Sequence, residues 1–275
     1  MTRDAASTVP PLRSGNLLPA RKFVVAWSLM GLIALFCWLV VVAQAGDIGT
    51  GAGTMGMALP FFLLLWAVMM AAMMFPSVAP VAVTWVRSIG RQSSGYVRAA
   101  RTAEFAGGYV LAWTLFGLLV YGILALTGEL VAGHPTAGRW IGATAFLLAG
   151  LQQFSPLKDL CLRHCRSPLG QLMRYAAYRP RARDLRVGMH HGLYCVGCCW
   201  GLMIVLVPLG SMNMAAMAAV SVVIFVEKLW RLGTVFATVV GVVFVALAVV
   251  TALGLFPGVL VPGLSPSGAD MKMMG

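Results

Sequence analysis

Long apolar runs separated by short polar segments make up most of this chain. Seven of these runs are long enough, or nearly so, to cross about 30 Å of hydrocarbon as α-helices. They occupy residues 24–43, part of 57–86, 105–126, 140–154, 188–209, 212–226 and 232–256. The fourth and sixth runs are the shortest, and their ends are the hardest to place. The pattern predicts an all-α protein, a polytopic transmembrane bundle of about seven spans.

Composition supports this interpretation and argues against a soluble globular protein. Hydrophobic residues make up 60% of the 275 residues and charged residues only 10%, whereas soluble domains average about 45–50% and about 25%. The mean hydropathy is +0.88. So few charges cannot cover a water-facing surface of this size, and we expect contact with membrane lipid.

The basic residues predict the orientation of the bundle. The net charge is +12, and a cytoplasmic N-terminus would put eighteen of the 20 Lys and Arg residues on the inner side, as the positive-inside rule requires. Only Arg139 and Lys272 would lie outside. The C-terminus is then outside. Since topology and anionic lipid headgroups account for the charge, we expect no nucleic-acid partner.

The same pattern divides the chain into three parts. Residues 1–23 are a cytoplasmic tail, residues 24–256 are a single transmembrane domain, and residues 257–275 are an outer tail rich in Met. The first run lacks a small-residue cleavage pattern, so we interpret it as a membrane helix and not as a signal peptide. Within the domain, the inner polar loop 155–187 is predicted to form a short amphipathic helix along the membrane.

Candidate chemistry lies in the cysteines. Five of the six fall into two clusters, and residues i and i+4 of a helix share a face. The clusters therefore offer two thiol pairs, Cys161 with Cys165 and Cys195 with Cys199. Thiolates are favoured ligands of Cu(I) and of Zn(II). The sequence predicts a soft-metal site at the inner face of the membrane.

Two further residues belong to this prediction. His191 precedes Cys195 by one helical turn and adds a nitrogen ligand. Cys198 neighbours Cys199, and because consecutive helix positions diverge, one of the two is expected to pack or to serve as a reserve ligand. Inert packing of all these thiols is the alternative, and it is the expected role of Cys37 in the first span. Structural disulfides are not expected on a reducing cytoplasmic side.

Methionine is a second signal, since thioethers bind Cu(I) without losing a proton. Twelve of the 17 Met residues group around the second span, the turn near residue 212 and the C-terminal tail. An outer Met route that feeds an inner thiolate site would suit copper, although core packing is the simpler explanation for the second span.

Some other residues are expected to hold the helices together. Gln152 and Gln153 are candidates for hydrogen bonds between helices, and Gly107, Gly108 and Gly150 for close helix contact. Glu227 is expected at the inner end of the sixth span, in an interfacial salt bridge or, alternatively, in a metal site.

Several motifs resemble a known bacterial family, the predicted metal-binding integral membrane proteins. The resemblance covers residues from about 59 to 228 and is carried by CLRHCRSP at 161–168, HGLYCVGCCW at 191–200, AGLQQF at 149–154, PLK at 156–158, WAVMMAAMMFP at 66–76 and Glu227-Lys228. The chain keeps a Gly-Ser-Met-Asn turn at 210–213 but has no Trp before Met217. The function of this family is not established. The resemblance implies a metal-binding protein of the bacterial inner membrane.

We therefore expect copper handling, meaning capture, storage or delivery to a receiving membrane protein, with Cu(I) as the metal and zinc as the second choice. The predicted ligands are Cys161, Cys165, Cys195 and Cys199, with His191 or Cys198 assisting. The alternatives are a membrane thiol–disulfide redox protein and a metal-free assembly factor. The sequence leaves catalysis open and favours a protein that is not an enzyme.

Overall fold

Helices account for nearly all of the residues that this computed structural model describes. The structure describes residues 20–45, 53–54, 56–90, 95–134, 136–166, 182–210, 212–255 and 260–264, and these residues contain no β-strand. The helices are α1 (Ala20–Ala45), α2 (Leu59–Gly90), α3 (Gly95–Gly133), α4 (Ala137–Gln153), α5 (Pro156–Arg166), α6 (Arg183–Ile204), α7 (Leu206–Leu209), α8 (Met214–Leu229) and α9 (Gly233–Ala252). A 3₁₀ turn, Pro262–Leu264, follows them.

Each of the seven predicted apolar runs contains a helix, but the helices differ in their ability to cross a membrane. Four of them, within α2, α3, α6 and α9, are long and apolar enough to do so. Helices α4 and α8 have only 17 and 16 residues. The described part of the chain thus supplies four candidate spans, which is fewer than the seven predicted.

The predicted fifth run ends earlier than expected. Instead of one helix over 188–209, the structure has α6 ending at Ile204 and the short α7 after it. Pro208 explains the break, because proline has no N–H to donate to the carbonyl group of Ile204. The break places the turn before α8 close to the end of α6.

Glycine residues bring the central pair of helices, α3 and α6, into close contact. A Cβ atom on Gly188 would lie 2.0 Å from the carbonyl oxygen of Phe105, and one on Gly108 would lie 2.1 Å from that of Leu185. A Cβ on Gly150 would lie 2.7 Å from Val245, where α4 meets α9. Close packing at Gly108 and Gly150 was predicted; Gly107, also predicted, has no neighbour within 4 Å of its Cβ position.

Helix α9 is apolar on every side. It buries mainly small residues such as Ala237, Gly241 and Ala248, and it exposes valines such as Val235 and Val242. A helix that is hydrophobic all round is typical of a membrane span. The exposed valines indicate where lipid would contact the bundle.

The predicted amphipathic helix in the inner polar loop is α5. Its buried residues are Lys158, Cys161, Leu162 and Cys165, which repeat at the spacing of a single helix face. Residues 167–181 of that loop lie outside the described residues, as do nearly all of the predicted N-terminal tail and most of the Met-rich tail. The last residues of the loop, 183–187, belong to α6.

Candidate metal site

The two cysteine clusters meet where α5 packs against α6. Cys161 and Cys165 lie on the buried face of α5, and Cys195, Cys198 and Cys199 are buried in α6. Gly197 makes this contact close, because a Cβ atom there would lie 2.8 Å from Sγ of Cys161. The sequence predicted that the clusters would meet, and all five thiols belong to one buried cluster.

A glutamine from α4 holds this part of α6. Nε2 of Gln152 donates hydrogen bonds of 3.2 Å to the carbonyl oxygens of Gly197 and Cys198. These carbonyl groups lie beside the thiols, so the bonds fix the backbone that carries them. The predicted role of Gln152 in joining helices is confirmed.

Three thiols form a continuous group. Sγ of Cys198 lies 3.9 Å from Sγ of Cys165 and 3.3 Å from Sγ of Cys199. Cys198 and Cys199 are consecutive, yet their sulfur atoms are neighbours. The sulfur of Cys198 therefore lies next to those of both Cys165 and Cys199 and links the two clusters. The sequence pattern had given Cys198 only an assisting role.

The separation of Cys165 and Cys198 suits a shared metal ion. Two metal–thiolate bonds of about 2.3 Å place their sulfurs about 3.8 Å apart at the tetrahedral angle and about 4.6 Å apart in a linear arrangement. The observed 3.9 Å lies within that range. These two thiols therefore have the spacing of ligands to one soft ion such as Cu(I).

Cys195 has a different environment. Its Sγ lies 3.1 Å from Oη of Tyr109 and accepts a hydrogen bond of 3.0 Å from Nζ of Lys228. Lys228 also donates to Oγ of Ser77 at 3.3 Å. No Asp or Glu forms a salt bridge with Lys228 among the described residues. The buried ammonium group is thus placed to balance the charge of a thiolate at Cys195.

Cys161 stands at the edge of the group, on α5. Burial raises the pKa of its thiol, and the nearby Cys195 adds to this effect. Cys161 is therefore protonated at neutral pH, and a metal ion that binds it must displace a proton.

His191 is buried one turn from Cys195. Its ring stacks on that of Tyr109 with the centroids 6.0 Å apart, and its Nδ1 atom has no hydrogen-bond partner among the described residues. A buried nitrogen without a partner is uncommon in proteins. The role of His191 as a metal ligand stays a prediction.

Two other histidines form an aromatic cluster with Tyr194. The ring of His164 stacks on Tyr194 at 3.8 Å, and that of His190 lies edge-on to Tyr194 at 4.9 Å. His164 directly precedes Cys165 in the sequence, so this cluster begins next to one of the thiols.

Glu227 lies in a buried ion pair, and its hydrogen bonds within the described residues go to Lys158 and Gln153. Its carboxylate accepts hydrogen bonds from Nζ of Lys158 at 2.7 Å and from Nε2 of Gln153 at 3.0 Å. Lys158 also donates to Oε1 of Gln153. Of the two roles considered for Glu227, the salt bridge is the one observed, and Gln153 joins helices as predicted. The network ties α4, α5 and α8 together beside the site.

Among the described residues, no three or more His, Cys, Asp or Glu side chains are already arranged to hold one metal ion. The sulfur of Cys195 is instead hydrogen-bonded to Tyr109 and Lys228. The structure thus brings two to three thiols together, and further ligands would have to rotate inward.

Sequence reasoning missed Tyr109 and Lys228 as partners of Cys195, and Ser77 as a partner of Lys228. Neither Tyr109 nor Ser77 belongs to a spacing pattern that would reveal it. Lys228 had a signal, because a lysine at the end of an apolar run is costly to bury without a partner. The partner is Cys195, and the sequence does not show that α8 packs against α6.

A comparison with protein families now bears on this site. A family described as PpoB2, copper chaperone, matches residues 63–251. The chain belongs to this copper chaperone family. The match covers well over half of the chain and includes all five clustered cysteines and Lys228. It is consistent with the metal-binding family that the motifs resemble, and it suggests copper as the metal. No curated protein and no solved structure matches the chain.

Proposed function

We propose that this protein is an integral membrane copper chaperone that holds Cu(I) between Cys165 and Cys198. Cys199, Cys195, Cys161 and His191 are reserve ligands that do not bind the ion in this two-coordinate state. Its role is to capture or store copper and to deliver it to a receiving membrane protein. The observation that carries the proposal is the 3.9 Å separation of the Cys165 and Cys198 sulfurs within the region matched to copper chaperones.

The charges in the site support a monovalent ion. One Cu(I) ion and two thiolates carry a net charge of −1, which the buried Lys228 ammonium group can neutralise. Lys228 interacts electrostatically with Cys195, Cys198, Cys199 and Cys165. A Zn(II) ion usually takes four ligands, and four thiolates around it would leave a net charge of −2. The single lysine therefore supports Cu(I) over Zn(II).

A low coordination number also supports delivery. A Cu(I) ion held by two sulfurs has room for a third ligand from another protein. One bond to Cys165 or Cys198 can then break as the bond to the acceptor forms. Copper remains Cu(I) throughout this exchange, so no electron donor or acceptor is required.

We further propose that the bundle crosses the bacterial inner membrane seven times, with the N-terminus inside and the C-terminus outside. The four long apolar helices support membrane insertion. The shorter α4 and α8 pair with α9 and α2 in the bundle, so they would cross alongside longer neighbours. The distribution of basic residues supports the orientation. In this arrangement α5 and the thiols lie near the cytoplasmic face.

Metal content tests the copper proposal. Detergent-purified protein is loaded with Cu(I) and Zn(II) under reductant, and bound metal is measured by mass spectrometry. We expect at least about one copper per chain and little zinc in the native protein. The variant Cys165→Ser/Cys198→Ser is expected to lose about one copper per chain.

The matched control is Cys37→Ser, which removes a buried thiol of α1 that lies outside the site. It is expected to bind as much copper as the native chain. Native protein that takes up no copper under any loading condition would overturn the proposal. A disulfide between the two cysteines in that metal-free protein would favour the thiol redox alternative.

A further inference from the structure

A small internal cavity lies among α2, α3, α6 and the turn before α8. Its volume is about 20 Å³, which is enough for one water molecule or ion. Three of its lining residues are methionines from separate segments, namely Met69 of α2, Met203 of α6 and Met212 of the turn. All three are buried.

The rest of the lining is apolar or aromatic. Phe62 and Trp66 stack with their centroids 5.9 Å apart. The indole N–H of Trp66 donates to the carbonyl oxygen of Trp113 at 2.9 Å, so this polar group is already used. The thioether sulfurs are therefore the main ligand atoms that the lining residues can offer to a guest.

The cavity is connected to the thiols through one face of α6. Met203 follows Cys199 by four residues, and Cys199 follows Cys195 by four, so the three side chains succeed one another along that face. Four residues advance a helix by about 6 Å. Cys195 and Cys199 are buried in the same cluster as Met203 and Met69.

We propose that Met69, Met203 and Met212 form a second Cu(I) site that exchanges copper with the thiol site. This proposal rests on the copper function proposed above and extends it to a second ligand type. Thioethers are soft neutral ligands that select Cu(I) and have no proton to lose. Copper moves by ligand exchange, in which a bond to a thiolate of α6 breaks as a bond to Met203 forms.

The two sites differ in charge, which makes their roles different. Three thioethers leave the positive charge of Cu(I) uncompensated, apart from its attraction to the faces of Trp66 and Phe62. The thiol site neutralises that charge with thiolates. The thioether site is accordingly the weaker one, suited to passing copper onward and not to storing it.

Copper stoichiometry under reductant tests this second site. The native chain is expected to bind about two Cu(I) ions. The variant Met69→Leu/Met203→Leu/Met212→Leu is expected to bind about one. The matched control is Met70→Leu/Met73→Leu/Met74→Leu, which changes three buried methionines of α2 that do not line the cavity, and it keeps both ions.

A variant without the five clustered cysteines separates the two sites. In a chain with Cys161, Cys165, Cys195, Cys198 and Cys199 all changed to Ser, we expect about one Cu(I) ion to remain. Its binding should be unchanged between about pH 5 and about pH 8, since a thioether does not titrate. Adding the three cavity Met→Leu changes should remove it.

The possible failures are distinguishable. Native protein that binds one copper, with the cavity variant binding the same amount, would overturn the thioether site and leave the thiol proposal standing. Native protein that binds no copper would overturn both. The loss of one ion in the α2 control as well would show that methionine packing, and not ligation, determines the second ion.

Discussion

Two adjacent charged side chains near the end of α8 face different parts of the molecule. Glu227 pairs with Lys158 of α5, whereas Lys228 donates to Cys195 of α6. Both are nearly inaccessible to solvent, and a buried charge persists only beside a partner. At this scale the thiol site is completed by a lysine that is not itself a ligand.

Removing that lysine should weaken copper binding. In Lys228→Met the charge of the bound Cu(I)–thiolate group is no longer neutralised. Changes to groups that orient or balance metal ligands typically cost about 10- to 100-fold in metal affinity. We expect a loss of that size for Cu(I), measured by competition with a Cu(I)-specific chelator.

The control for this variant is Arg231→Met, which removes one positive charge from an exposed residue of the following turn. It should leave Cu(I) affinity unchanged. Equal affinities for Lys228→Met and the native chain would show that the lysine does not belong to the copper site.

At the scale of helices, the contact of α3 with α6 depends on glycine. Gly108, Gly188 and Gly192 each lie where an added Cβ would approach the facing helix to 2.7 Å or less. This contact positions Tyr109 against Cys195 and His191. The geometry of the thiols on α6 therefore depends on small residues located some distance along the chain.

Adjacent glycines of α3 provide a matched test of this contact. Gly108→Ala should destabilise the protein by about 1–3 kcal/mol, the usual cost of overpacking. Gly107→Ala, where nothing lies within 4 Å, should be neutral or stabilise by up to about 1 kcal/mol because alanine favours helix. Thermal unfolding in detergent measures both, and equal effects would contradict the proposed packing.

The individual helices could be predicted from sequence more fully than their contacts. Apolar runs gave the approximate limits of α2, α4, α8 and α9, and the spacing of Cys161 and Cys165 gave the buried face of α5. Pro208 explains the break after Ile204, but the sequence analysis had included this proline in a single span over 188–209. Hydrophobic periodicity does not reveal which helix faces another, so Tyr109 and Lys228 were missed as partners of Cys195.

At the scale of the whole molecule, the proposed membrane bundle has its thiols near one face and a methionine-lined cavity further along α6. Valines cover the outside of α9, where water would be unfavourable and lipid would not. The proposed orientation rests on the distribution of basic residues, and it would determine from which side copper reaches Cys161 and Cys165.

Cysteine labelling in intact cells tests this orientation. Glu129 lies at the end of α3 that is proposed to be outside, and Arg163 lies on α5 at the proposed inner face; both are exposed. A membrane-impermeant maleimide should label Glu129→Cys directly, and Arg163→Cys only after permeabilisation. The native chain, whose six thiols are buried, is the control. The reverse pattern would invert the proposed orientation.

X-ray absorption at the copper edge is the most direct test of the central claim, that copper is held by thiolates of the two cysteine clusters. We predict Cu(I) with sulfur ligands at about 2.3 Å in the native protein. We also predict loss of the shortest of these bonds in Cys165→Ser/Cys198→Ser. A spectrum of the native protein dominated by nitrogen or oxygen ligands, or one that the double substitution leaves unchanged, would contradict the account.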